Sequence, residues 1–278
     1  MFSKLLKYDL RAIFKYWWIA AVTSVALSLV GGVCLNIVTN DKSWDSEIPI
    51  TVFAAFGLFI VVIGISIFGV LTEVLTLVRF YKHFFTDEGY LTFTLPVKKS
   101  SLLNSKIFSS LIISLITGMI IILEFFVIVS IGMAEEVYTK QTLKDITELI
   151  TLFTEDGLFY NILILLLIFA IIIAAALIGI MFAYICITFA AVIAKKHKVL
   201  AAIGIYYAAN SAVSFVMQIL AFTNIAPRVI VLISNLPEPK IQIASSIALL
   251  GVVALLGIIF GGMYLLENYL LDRKLNLE

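Results

Sequence analysis

Six long apolar stretches set the pattern of the chain, at roughly residues 17–38, 50–78, 107–132, 158–193, 199–222 and 243–266. Each supplies the ~20 mostly apolar residues that a membrane-spanning helix needs. The pattern therefore predicts an all-α polytopic membrane protein, with six transmembrane helices in a single transmembrane domain over 1–278. The second and fourth stretches are longer than a bilayer core requires, which means tilt, a break or continuation past the membrane. Because the second runs straight into Arg79 and Lys82, continuation is expected there. Ahead of the first span, residues 1–15 read as an amphipathic helix. Lys4, Lys7, Arg11 and Lys15 share one arc of the wheel, and Phe2, Leu5, Leu6, Leu10 and Ile13 lie largely opposite. Such a helix lies in the membrane interface, with Tyr16, Trp17 and Trp18 following at headgroup depth. Asp9 breaks the apolar arc. It reads either as local frustration near headgroups or as an ion pair with a basic residue of a neighbouring helix or partner subunit.

Composition narrows the class. Of 278 residues 62% are hydrophobic and 13% charged, and the mean hydropathy is +1.13, against about 45–50% apolar and about 25% charged in ordinary domains. A water-soluble enzyme built on one core is excluded, and so is a disordered chain. The net charge of +1 leaves no electrostatic footprint for nucleic acid. Where the charges fall says more. Four basic residues precede the first span, five lie between the second and third, three between the fourth and fifth and two in the tail, which places fourteen on one side against five on the other. The positive-inside rule then puts both termini in the cytoplasm. Glu135, Glu136, Asp145, Glu148, Glu155 and Asp156 all fall in the external loop 133–157. There Tyr138, Ile146, Leu149, Ile150 and Phe153 recur at near-helical spacing, predicting a short amphipathic helix that either covers the mouth of the bundle or serves as a receptor surface. The last external loop, with Asn224, Pro227, Asn235, Pro237 and Pro239, reads as a run of helix breakers. No cleavable signal peptide is evident, so the first span is expected to remain as a membrane helix. Cys34 and Cys186 fall in separate apolar stretches near opposite faces of the bilayer, without zinc spacing and out of reach of a shared disulfide.

The cytoplasmic loop 79–106 reads RFYKHFFTDEGYLTFTLPVKKSSLLNSK. Thr86 to Gly89 make an acidic turn, and Leu91, Phe93, Leu95 and Val97 then alternate with Tyr90, Thr92, Thr94 and Pro96 as in an extended segment. Ser100 or Ser101 can cap the next helix. Read alone, the loop is either a functional surface or an amphipathic connector adsorbed on the membrane. Glu88-Gly89-Tyr90-Leu91, then Leu95-Pro96-Val97, then Leu102-Leu103 and Ser105-Lys106 resemble the E-G-[TY]-L … L-x-x-P-V … L-L-x-[GS]-K pattern of type 2 ABC transporter permeases. The closest likeness is to a Gram-positive branch in which TDEGYLTFTLPV recurs nearly as written here. The resemblance extends to the basic amphipathic N-terminal helix and the six spans. It implies a bacterial cell-membrane subunit of an ABC exporter, working with a second permease chain, the same or different, and with cytoplasmic ATPase subunits that bind ATP and Mg. It also implies that Asp87, Glu88, Gly89, Tyr90, Leu91, Pro96 and Lys106 form the ATPase-coupling segment. Cargo does not follow from the resemblance. The small extramembrane mass suits an amphipathic or hydrophobic cargo such as a drug, lipid or antimicrobial peptide.

Absent motifs agree with this division of labour. The chain has no GxxxxGK[ST] phosphate loop, no His-Glu-x-x-His zinc motif, and no readable nucleophile with base and orienting acid. It is thus expected not to be an enzyme and to bind no cofactor itself. His83 and His197 sit in separate loops and read as headgroup-level interface residues. Charged residues inside spans suggest function by default. Glu124 shares a face of the third span with Ser110, Ser114 and Thr117, and Glu73 lies near the inner end of the second. The fifth span carries a stripe of Tyr207, Ser211, Ser214 and Gln218. These faces either line a translocation path or act as interhelical hydrogen-bond glue. Ala175, Gly179 and Ala183 in the fourth span, and Gly257 with Gly261 in the sixth, form small-residue ridges for close helix approach, while Gly57 and Gly64 are expected to loosen the second span. Two readings from other classes remain. One is an ion-coupled secondary transporter using Glu124 and Glu73, against which stands the lack of a visible inverted repeat. The other is a non-transporting sensory or scaffolding membrane subunit.

Overall fold

The computed structural model describes residues 2–40, 50–86, 89, 98–133, 142, 144–145, 147–148, 151, 158–194 and 197–273. Seven helices account for most of them: α1 (Phe2–Asn40), α2 (Ile50–Phe85), α3 (Lys99–Gly132), α4 (Leu158–Ile193), α5 (Lys198–Phe222), α6 (Ile225–Ser234) and α7 (Glu238–Arg273). All but the ten-residue α6 are long and apolar enough to cross a membrane. The chain is an all-α multi-pass membrane protein, as the apolar pattern predicts.

The helix boundaries depart from the sequence reading in instructive places. The amphipathic segment 1–15 and the span 17–38 are not separate elements, because α1 runs unbroken for 39 residues. No Gly or Pro interrupts the chain from Phe2 to Val30, so nothing there forces a kink. Lys4, Lys7, Arg11 and Lys15 remain exposed on it, as the wheel requires. α2, at 36 residues, measures about 54 Å at ~1.5 Å per residue, well beyond a hydrocarbon core of ~30 Å. The expected continuation past Val78 is therefore present. α3 begins at Lys99 rather than 107. The run of breakers around Pro227 holds a helix, α6. Its cap Asn224 takes a left-handed conformation at φ 52°, and Pro227 falls in the first turn, where a missing N–H removes no intrahelical bond. Pro239 sits likewise in the first turn of α7. In the loop 133–157, Thr142, Lys144, Asp145, Thr147, Glu148 and Thr151 are helical, and Lys144 pairs with Glu148 at 3.8 Å one turn on. The apolar residues Tyr138, Ile146, Leu149, Ile150 and Phe153, on which a receptor surface would depend, lie outside the described residues.

The chain divides into two compact units, one of Met1–Arg79 with Phe108–Leu152 and one of Phe80–Ile107 with Phe153–Glu278. The first is built from α1, most of α2 and most of α3 around Ile13, Trp17, Ala21, Phe68 and Ile113. Lipid tails are as apolar as these side chains, so close packing holds them together rather than exclusion of water. The closest approaches fall on glycines. A methyl group at Gly31 would stand 2.8 Å from Val61 Cγ1, one at Gly32 would stand 2.7 Å from Ile131 Cβ, and one at Gly132 would collide with Leu35. Just beyond, Thr39 Oγ1 donates to the Gly132 carbonyl at 3.0 Å and Asn36 Nδ2 to that of Ile131 at 3.3 Å, closing the end of the α1–α3 pair. Among the described residues the small-residue ridges predicted elsewhere do not serve this purpose: a Cβ at Gly179, Gly257 or Gly261 meets nothing within 4 Å. Gly57 and Gly64 do not loosen α2 but leave room for Cys34 Sγ and Leu27 Cδ1. In the second unit α4 packs against α5 and α7, and Met181, Ala183, Tyr184, Cys186, Thr188 and Ala190 form its buried face. Cys34 and Cys186 are both free thiols.

Candidate functional site

In the first unit several of the scarce polar residues are gathered into hydrogen bonds between helices. Glu124 of α3 is 1% exposed and lies 2.6 Å, through Oε1, from Ser24 Oγ of α1. Ser24 Oγ also lies 2.9 Å from the Ala21 carbonyl. The second carboxyl oxygen of Glu124, Oε2, is buried without a hydrogen-bond partner among the described residues. Two turns away along α3, Trp17 Nε1 donates to Thr117 Oγ1 at 2.9 Å, Thr117 Oγ1 to Thr72 Oγ1 at 3.3 Å, and Thr72 Oγ1 to the Phe68 carbonyl at 3.0 Å. This chain ties α1, α3 and α2 together. An unsatisfied polar group in hydrocarbon costs several kcal/mol, whereas a made interhelical bond contributes only ~1 kcal/mol. The network therefore fixes which faces meet more than it adds stability. Asp9, 3% exposed, takes the ion-pair alternative, since Arg79 Nε of α2 donates to its Oδ1 at 3.3 Å.

Other expected path residues are placed differently. Glu73 is exposed on α2, as are Tyr207, Ser211, Ser214 and Gln218 on α5. Glu124 is the one candidate of the predicted set that the structure buries.

The second unit contains the base of the 87–97 segment. Asp87, Glu88, Tyr90, Leu91 and Pro96 lie outside the described residues, but what flanks them is well defined. On the N-terminal side α2 ends in an aromatic cluster: Phe80 and Phe84 are fully buried with ring centroids 5.0 Å apart, and Phe80 stacks on Tyr184 of α4 at 3.8 Å and 5°. The Gly89 N–H then donates to the Thr86 carbonyl at 2.7 Å. A Cβ at Gly89 would stand 2.9 Å from the Phe84 carbonyl oxygen, so the turn requires glycine there. On the C-terminal side Lys106 is 4% exposed, and its carbonyl accepts from Tyr184 Oη at 3.4 Å. Lys99 Nζ reaches Asp272 Oδ1 at 3.3 Å and the Leu271 carbonyl at 3.4 Å, both on α7. Both flanks of the segment thus converge on one side chain, Tyr184, with a further tie to the end of α7.

Sequence reasoning missed a second buried acid, in the same unit. Glu267 of α7 is fully buried, with Thr188 Oγ1 of α4 donating to its Oε1 at 2.6 Å, and its Oε2 has no partner among the described residues. Ending the last span at Leu266 left Glu267 counted with the tail. The available signal was its position directly after an apolar run, with a second buried-type hydroxyl residue, Thr188, in the long fourth span. Among the described residues no group of three or more His, Cys, Asp or Glu could hold a metal ion. Comparisons with models of protein families, with characterised proteins and with solved structures find no match to this chain.

Proposed function

We propose that the chain is the membrane subunit of an ATP-driven ABC exporter, acting as a permease in a bacterial cell membrane with both termini in the cytoplasm. Cytoplasmic ATPase subunits supply ATP and Mg, and a second permease chain completes the transporter. The observation that carries the reading is the anchoring of the 87–97 segment. A loop bearing the Glu88-Gly89-Tyr90-Leu91 and Leu95-Pro96-Val97 signature is held at both flanks by Tyr184 and tied by Lys99 to α7. Through these flanks a push on the loop would reach α2, α4 and α7. The fourteen-to-five asymmetry of basic residues supports the orientation. The cargo class, amphipathic or hydrophobic, rests on the apolar surface of the chain.

The test is to find whether an ABC ATPase is encoded beside this chain and to reconstitute the two together. Glu88→Ala with Gly89→Val is expected to abolish stimulation of ATP hydrolysis by the permease, and Tyr184→Ala to reduce it while the two subunits still co-purify. Stimulation untouched by both changes removes the coupling role. A second reading rests on Glu124, whose buried, half-satisfied carboxyl group suits a proton site. Transport driven by a proton gradient in ATPase-free vesicles and abolished by Glu124→Gln would put an ion-coupled transporter in place of the exporter.

A further inference from the structure

α5 begins against the usual rules. Helix N-termini favour Ser, Thr, Asp or Asn as the cap and acidic residues in the first turn, where the dipole is positive. Here the cap is His197, in a left-handed conformation at φ 58°, ψ 43°, and its side chain makes no capping hydrogen bond. The first turn has no acidic residue, the helix opens with Lys198, and the chain leading in is Lys195-Lys196-His197. The His197 carbonyl accepts the Ala201 N–H at 3.0 Å, so the amides of the first turn ahead of it have no helical acceptor. The Lys198 side chain, the positive end of the helix and the donor amides thus fall together at the start of α5. Such a local conflict is relieved by an anion.

Beside this point lies an open groove of about 610 Å³, lined by Tyr81 of α2 with His197, Lys198, Val199, Leu200 and Ile203 of the α5 end. Its chemistry is two-sided. Lys198, His197 and the Tyr81 phenol offer donors, while Val199, Leu200 and Ile203 are 54%, 70% and 50% exposed and offer an aliphatic wall. We propose that this groove binds an anionic phospholipid. The phosphodiester faces Lys198, His197 and the first-turn amides, and the first carbons of an acyl chain lie along Val199, Leu200 and Ile203. The aliphatic wall decides for a lipid over a soluble phosphate, because it belongs to a helix long and apolar enough to cross a membrane and would be idle against a free anion. Basic pockets between membrane helices recognise lipid headgroups by the same pairing of charge and apolar surface. The proposal does not depend on the transport reading.

The experiment places the full chain in nanodiscs of phosphatidylcholine containing a small fraction of photoreactive phosphatidylglycerol and maps the crosslinks by peptide mass spectrometry. Labelling is expected on Tyr81 and on residues 197–203, and Lys198→Glu should cut it by about tenfold. Labelling of the peptide carrying Lys4, Lys7, Arg11 and Lys15 should not change, which separates this groove from general attraction to a basic helix. Lys198→Gln and Leu200→Ser, each milder, should each lower the label if the charge reversal disturbs folding. Three results overturn the proposal: no label in the groove, equal label from a phosphatidylcholine probe, or label displaced by millimolar inorganic phosphate, which would mark a soluble-anion site.

Discussion

In α3 the polar residues Ser109, Ser110, Thr117 and Glu124 are all buried, whereas in α5 Tyr207, Asn210, Ser211, Ser214 and Gln218 are all exposed. Both helices are long and apolar enough to cross a membrane. The difference lies in what stands opposite. α3 faces Ser24 and Trp17 of α1 and Thr72 of α2, which take up its carboxyl and hydroxyl groups. Ser and Thr hydroxyls on a lone helix can bond back to a carbonyl of their own helix, but a side-chain amide has more donors and acceptors than that recourse serves. The amides of Asn210 and Gln218 facing hydrocarbon would cost several kcal/mol. The same kind of stripe therefore serves internal cohesion in one helix and calls for an external cover in the other. A second permease chain, as proposed above, would supply that cover.

The contrast can be broken by mutation, beginning with the largest effect. Glu124→Ala removes a buried side chain and strands the Ser24 hydroxyl, and it is expected to lower the unfolding free energy in detergent by about 3 kcal/mol. Glu124→Gln, which keeps the volume and a hydrogen bond, should cost less than ~1 kcal/mol. Next comes Gly32→Val at the α1–α3 contact, expected to cost about 2 kcal/mol through overpacking against Ile131. Gly261→Val on α7, where a Cβ has open space, should stay within ~0.5 kcal/mol of the parent. Trp17→Phe retains the ring in the core but loses the donor to Thr117, so thermal unfolding should register about 1 kcal/mol. The smallest expected change is the most telling. Ser214→Leu with Gln218→Leu should leave the isolated chain within ~0.5 kcal/mol yet weaken crosslinking between copies carrying a cysteine at Ser211. Were that pair to destabilise the single chain as much as Glu124→Ala does, α5 would have an internal partner and the contrast would fall.

The sequence made the number and type of elements legible because apolar stretches of this length leave a helix few alternatives. It carried Asp9 halfway: the break in the apolar arc is visible at the level of residues, but Arg79 lies 70 positions on, and only tertiary packing selects it. Glu124 stood out as a charge amid apolar residues. Glu267 did not, because it lies one residue past the assigned end of a span, and helix ends are where pattern reading is least sharp. Glycines were read as ridges by the small-xxx-small rule, which favoured Gly257 with Gly261 over the adjacent pair Gly31-Gly32. The structure uses the latter, since two consecutive glycines let one helix meet Val61 and Ile128 on one side and Ile131 on the other. Pro227 and Pro239 were read as breakers because a list of residues does not say that each falls in the first turn of a helix, where proline is harmless.

The place of Tyr184 in the chain has a consequence for how the protein is made. Phe80 and Lys106, on either side of the 87–97 segment, both depend on a residue synthesised later, 78 positions after Lys106. At roughly 5–20 residues per second the ribosome takes about 4 to 16 s to deliver it. Until α4 is threaded into the bilayer, the loop lacks its anchor on both flanks. A nascent or truncated chain ending before Tyr184 lacks this anchor on both flanks, so a partner that recognises the anchored loop, such as the ATPase proposed above, would bind only after the fourth span has been inserted.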